Sequence, residues 1–131
     1  MSTAAPLGLV VLSGDWARVH YALMMASSAA AIDRPVTLFV TMDAVPLLEA
    51  GEGWRRLAGA EGDDALKERK VADTETLLEA CAAMEITIMV CEAGLKARDV
   101  APSALREDLG VEVTGLVTFY QSVGAGQIVA L

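Results

Sequence analysis

Three short, unbroken apolar runs, each closed by small, polar or thiol-bearing residues, constrain this chain more than any other feature. "LGLVVL" at residues 7 to 12 ends in Ser13-Gly14-Asp15, "PVTLFV" at 35 to 40 ends in Thr41-Met42-Asp43, and "ITIMV" at 86 to 90 ends at Cys91. A strand wetted on one face alternates apolar with polar residues, whereas these runs hold no polar residue but Thr37 and Thr87, as in strands covered from both sides. Pro35 opens its run, where no ladder donor is lost. Such runs separated by helix formers indicate a parallel sheet between two helical layers.

The intervening segments carry helical signals. Asp15 is placed to cap Trp16 to Ile32, with Trp16, Val19, Leu23, Ser27 and Ala30 on one stripe and Tyr21, Met24, Met25 and Ser28 on another. A helix apolar nearly all round needs a second cover, and another subunit is the simplest expectation. Ala44 to Ala50 is expected as a short helix. Thr74 to Met84 is expected as a longer one, with Leu77, Cys81 and Met84 on one face. Pro102 opens a short helix to Leu109, Val111 to Val113 is a brief strand, Thr114 to Val123 a helix and Gln127 to Leu131 a last strand. Gly51 to Asp73 forms a polar insert with Arg55, Arg56, Lys67, Arg69 and Lys70. Two readings of it stay open: a lid anchored by Trp54 that brings cations to the site, or a solvated segment whose acids interleave with its bases.

At 131 residues the chain is expected to be a single α/β domain. The expected architecture is three-layer α/β/α and flavodoxin-like, with a five-stranded, mainly parallel sheet in the order 2-1-3-4-5. Open α/β sheets bind ligands beyond the carboxyl ends of the strands, where the strand order reverses. In that order strands one and three adjoin, so Ser13, Gly14 and Asp15 face Cys91, Glu92, Ala93 and Gly94 across a crevice. Met42, beyond strand two, is a further lining candidate.

Charge and residue usage exclude several classes. A net charge of -8 repels nucleic acid and anionic membrane surfaces. No apolar run reaches the roughly 20 residues of a membrane span, since Asp15, Arg18, His20, Asp33 and Arg34 interrupt the richest region. Met1 to Ser13 has no basic region ahead of its apolar centre, and the two cysteines follow no disulfide or metal spacing, so a cytoplasmic location is expected. With one histidine and scattered carboxylates, no metal site and no cofactor are expected.

The two thiols differ in placement. A strand of residues 86 to 90 rises about 17 Å, while bridged cysteines need Cα atoms within about 7 Å, so Cys81 and Cys91 at its two ends do not pair. Cys81 fits the apolar stripe of its helix and serves packing. Cys91 has small residues after it, which let backbone amides approach the sulfur, and Lys96 and Arg98 add possible cationic support. From spacing alone, a buried strand-end thiol and a reactive one are equally compatible with this pattern.

The segment "ITIMVCEAGLKARDV", residues 86 to 100, resembles the strand, cysteine and loop of the DsrE/DsrF-like family, which includes the TusD/DsrE sulfur-relay proteins. The resemblance extends to "LGLVVLSGD", "YALMMASSAAA", "PVTLFVTMDAV" and "VEVTGLVTFYQSVGAGQIVAL". It implies a sulfur carrier, and possible sulfurtransferase, that holds sulfane sulfur as a persulfide on Cys91 and relays it between donor and acceptor proteins. It also implies a homo-oligomer, a trimer or hexamer, which the doubly apolar first helix would mediate. The competing expectation is a noncatalytic oligomeric binding module of the same fold in which Cys91 is merely buried.

Overall fold

Each apolar run forms a strand in the computed structural model, which describes residues 4–131. Residues 1–3, part of the start segment considered for a leader, lie outside the described residues. The strands are β1 (Leu7–Val11), β2 (Val36–Val40), β3 (Thr87–Cys91), β4 (Glu112–Thr114) and β5 (Gln127–Ala130). All neighbours pair in parallel, with Leu9 beside Leu38, Leu38 beside Ile88, Cys91 beside Thr114 and Leu9 beside Val129.

The order is β4-β3-β2-β1-β5, which corrects the expected 2-1-3-4-5. Runs of similar apolar character carry no mark of which neighbour each will choose, so local pattern identifies the strands without ordering them. Here β2 separates β1 from β3, and the reversal falls between β1 and β5. Ser13 to Asp15 and Cys91 to Gly94 therefore do not adjoin directly.

The helices are α1 (Trp16–Ala31), α2 (Thr74–Ala83), α3 (Glu92–Ala97) and α4 (Leu116–Val123). Right-handed crossovers put the connecting helices on one face while the strands advance in one direction, and on the opposite face when the direction reverses. The sheet advances from β1 to β4 and then returns to β5, so α4 packs on the second face. Leu9, Val11, Leu38, Val40, Ile88 and Val90 pack with Val19 and Leu23 of α1 and Leu77 and Leu78 of α2. Phe39, Met89 and Cys91 pack on the other side with Phe119 and Val123 of α4. Gly8 makes this seating possible, because a Cβ there would lie 2.5 Å from Val123 Cγ2 and 2.7 Å from Phe119 Cζ. One eight-residue helix thus serves a face of a five-stranded sheet.

The insert packs beside the start of α1, while on the second stripe of that helix Tyr21 and Ser28 are exposed and Met24 and Met25 half-buried. The insert forms 3-10 turns at Gly53–Arg56 and Ala60–Ala65 and buries Trp54 and Asp63. Asp63 Oδ1 accepts from the Thr74 amide (2.9 Å), the Thr74 hydroxyl (2.6 Å) and Trp16 Nε1 (3.2 Å). His20 Nε2 donates to the Ala72 carbonyl (2.8 Å), and Ala58 exchanges backbone hydrogen bonds with Gly14 and Trp16. Three further expectations change in detail. The turn at Met42–Leu48 is 3-10, only Pro102–Ala104 of the 102 to 109 segment is helical, and the "loop" after Cys91 is α3.

Candidate functional site

Strand alternation decides where the Cys91 thiol points. Thr87, Met89 and Cys91 share the α4 face, because alternate residues of a strand project to the same side. Cys91 closes β3 and stands at the N-cap of α3, as a free and buried thiol with 6% of its surface exposed. It belongs to the cluster of Phe39, Met89, Phe119 and Val123, within which the rings of Phe39 and Phe119 lie 5.0 Å apart. Cys81 lies in the core of the opposite face, and burial pushes its thiol up to about 11. The sheet itself separates the two sulfurs.

The other expected pocket residues line up along the carboxyl edge with β2 in the middle. A Cβ on Gly94 would meet the Met42 amide nitrogen and Thr41 Oγ1, both at 2.8 Å, so only glycine lets α3 approach the end of β2 this closely. A Cβ on Gly14 would lie 3.2 Å from Asp43 Cβ. Gly14, Asp43, Met42 and Gly94 therefore form one continuous row. Met42 is exposed and holds φ +49, a left-handed conformation in which a bulky residue is an outlier. Ser13 accepts from the Asp15 amide (3.1 Å) and Asp15 from the Ala17 amide (3.3 Å), so both serve the turn and the cap of α1. At the true reversal, the Leu131 carbonyl accepts from the amides of Leu12 (2.8 Å) and Ser13 (3.2 Å).

The cations and carboxylates near Cys91 are engaged with one another. Lys96 pairs with Glu92 (3.2 Å) one turn apart on α3, and Arg98 pairs with Asp43 (3.0 Å) in the 3-10 turn after β2. Both pairs are largely exposed, with Glu92 directed outward, and Ala93 is exposed as well. In the insert, Arg55 pairs with Glu52 and Asp64, Arg56 with Glu49, and Lys67 with Asp73. These bases are held by local acids. Among the described residues, no group of three or more His, Cys, Asp or Glu residues has metal-binding geometry, and no helix is long and apolar enough to cross a membrane.

A cleft of about 550 Å³ lies elsewhere, lined in part by Gly51, Glu75, Ser103, Leu105 and Arg106. Its centre is an ion-pair cluster: Arg106 donates to both Glu75 oxygens (2.8 and 2.9 Å) and pairs with Asp108 (2.8 Å), while Trp54 Nε1 donates to Glu75 (2.7 Å). The Arg106 hydrogen bonds hold the Glu75 and Asp108 carboxyls below their usual range. With every strong partner satisfied, this cluster ties α2 to the segment before β4.

The model of DsrE/DsrF-like proteins matches residues 9–129. The chain belongs to the DsrE/DsrF-like family. Solved structures with the same fold include the YchN protein of E. coli, at TM-score 0.70 and 17% identity over 97% of this chain and 99% of that one. MTH1491 of Methanobacterium thermoautotrophicum, described as of unknown function, superposes at TM-score 0.61 and 13% identity over 97% and 99% of the two chains. BT1422 of Bacteroides thetaiotaomicron, likewise of unknown function, gives TM-score 0.62 and 15% identity over the full length of both. No curated protein matches the chain in sequence.

In this DsrE/DsrF-like domain the surroundings of the thiol include residues that sequence reasoning passed over: Phe39, Met89, Phe119, Val123 and the paired Thr114. The period of two in Thr87, Met89 and Cys91 was the available signal for the first partners. Phe119 and Val123 required knowing that the chain reverses before α4.

Proposed function

We propose that this chain is a sulfur carrier that holds sulfane sulfur on Cys91 and relays it to a partner thiol. The observation that carries the reading is a free cysteine at the carboxyl end of β3 in a chain of the DsrE/DsrF-like family, where the resemblance puts the relay thiol. The Cys91 thiolate attacks the outer sulfur of a donor persulfide, forming a new S–S bond while the donor's S–S bond breaks and its thiolate leaves. An acceptor thiolate then takes the terminal sulfur from Cys91 in the same way, returning the Cys91 thiolate, so no net oxidant is consumed. Free thiols fit a reducing compartment, and we place the protein in the cytoplasm.

Incubation with polysulfide followed by intact-mass measurement tests this. One added sulfur, about 32 Da, is expected on the native protein and is expected to be absent from Cys91→Ser. An equal adduct in the variant refutes the assignment.

A second reading, a noncatalytic binding module of the same fold, is favoured by one observation: Cys91 is 6% exposed within an apolar cluster. A Cys91 that takes up neither sulfur nor an alkylating label in the folded protein supports it.

Both readings include assembly of identical chains. Apolar surface available for it lies on α1, as expected, with Tyr21 58% exposed and Ile32 at its end 70% exposed, and also on α4, where Leu116, Val117 and Tyr120 are 48%, 72% and 58% exposed. Helix α4 carries no charged residue. Copies that each bear a net charge of -8 approach most favourably through such a neutral patch.

A further inference from the structure

We propose that α4 is a hinged cover, and that its displacement is the step that admits a partner thiol to Cys91. The proposal rests on the relay reading for its purpose and on packing for its mechanism. On the opposite face α1 buries six residues and α2 four, whereas α4 buries only Phe119 and Val123. Both belong to the cluster that contains Cys91. One side-chain hydrogen bond joins the helix to the sheet, between the hydroxyls of Thr37 and Ser122 (2.9 Å).

The ends of α4 are built to turn. Gly115 stands at the N-cap without a side-chain cap bond, and nothing lies within 4 Å of where its Cβ would be. Gly124 ends the helix at φ +58, a conformation open to glycine. Beyond it the chain is fixed again, since the Gln127 amide donates to the Pro6 carbonyl (3.0 Å) and β5 pairs with β1. A segment with few buried contacts between glycine ends opens at lower free energy than the sheet beneath it. Tipping α4 about these ends lifts Phe119 from the cluster and uncovers the thiol side of β3.

The test is alkylation of the folded full chain by iodoacetamide at neutral pH, with the two cysteines resolved by peptide mass. Cys81, in the opposite core, reports global unfolding. Phe119→Leu loosens the seat and is expected to speed Cys91 labelling about three- to tenfold while Cys81 stays unlabelled. The double variant Thr37→Cys/Ser122→Cys, oxidised to tie α4 to β2, is expected to slow Cys91 labelling about tenfold or more, with the native rate restored on reduction. If Phe119→Leu unfolds, Cys81 labels too and the tied variant decides; if the tie does not form, Phe119→Leu decides. Equal Cys91 rates in tied and untied forms, or in Phe119→Leu and the native chain, overturn the cover.

Polysulfide uptake separates the two proposals. Uptake on Cys91 at one rate in tied and untied forms removes the cover and leaves the relay. Gated labelling without any sulfur uptake removes the relay and leaves the cover.

Discussion

Replacing Asp63 with alanine tests whether residues 51–73 are an integral layer of the domain or a mobile flap. Asp63 is 4% exposed, and its Oδ1 takes the Thr74 amide, the Thr74 hydroxyl and Trp16 Nε1. Thr74, at the first turn of α2, is fully buried. Alanine leaves the Thr74 amide and hydroxyl protons without an acceptor, at about 1 to 3 kcal/mol each, while Trp16 Nε1 keeps the Thr74 oxygen at 3.1 Å. The expected loss is therefore about 2 to 6 kcal/mol, a large part of a typical domain stability of about 5 to 15 kcal/mol. Asp63→Asn keeps one acceptor oxygen and should cost less. Urea unfolding followed by tryptophan fluorescence suits this site, because Trp16 and Trp54, the two tryptophans of the chain, both bond within or beside the insert. With a denaturant slope of about 2 kcal/mol per M, the midpoint should fall by about 1 to 3 M. A shift below about 0.3 M, or a separate fluorescence transition at low urea in the native chain, would refute the argument that the insert is anchored.

The remaining predictions concern the carboxyl edge, the ion-pair cluster and the assembly surface. Gly94→Ala should destabilise by about 1 to 3 kcal/mol, read as a lower urea midpoint, because the new methyl meets the backbone of Met42. Glu75 and Asp108 have folded pKa values below their unfolded ones, so their stabilisation is full above about pH 4.5 and is lost as pH falls through the folded values. The melting temperature should drop over that acid range, and Glu75→Gln should flatten the drop; an unchanged profile counts against the cluster. Val117→Asp places a charge at the centre of the exposed α4 surface and should shift sedimentation at micromolar concentration toward the monomer, with the Cys91 adduct as a check on folding.

How much of this was legible in the sequence depended on the range of the signal. The first three strands appear within a residue of their apolar runs, and Cys91 ends the third, since strand identity is a local property. The order of the strands is not local, and with it went the supposed meeting of Ser13 to Asp15 with the thiol. The resemblance implies a loop after Cys91, yet Glu92–Ala97 is helical and its Gly94 permits the close approach of α3 to Thr41 and Met42. The second stripe of α1 was expected to need a further cover, and within the single chain its Tyr21 and Ser28 are exposed. The packing of the polar insert beside Trp16 and His20 was hidden, because its few buried side chains, Trp54, Leu57, Ala60 and Asp63, are diluted among charges. The row from Gly14 through Asp43 and Met42 to Gly94 was only half visible, because β2 was not expected between its ends.

The late return of the chain to β1 also shapes how the domain is made. β1 and β2 can pair early in synthesis, but the other edge of β1 waits for β5, and the Gly8 face waits for α4. At about 5 to 20 residues per second, roughly 6 to 24 s separate the first strand from the last. During that interval an open strand edge is bare, and for its last roughly 2 to 8 s, once Cys91 has been made, so is the side of the sheet bearing Phe39, Met89 and Cys91. Biosynthesis is thus the period in which the thiol is least protected, and early oxidation of nascent chains should concentrate at Cys91 rather than at Cys81.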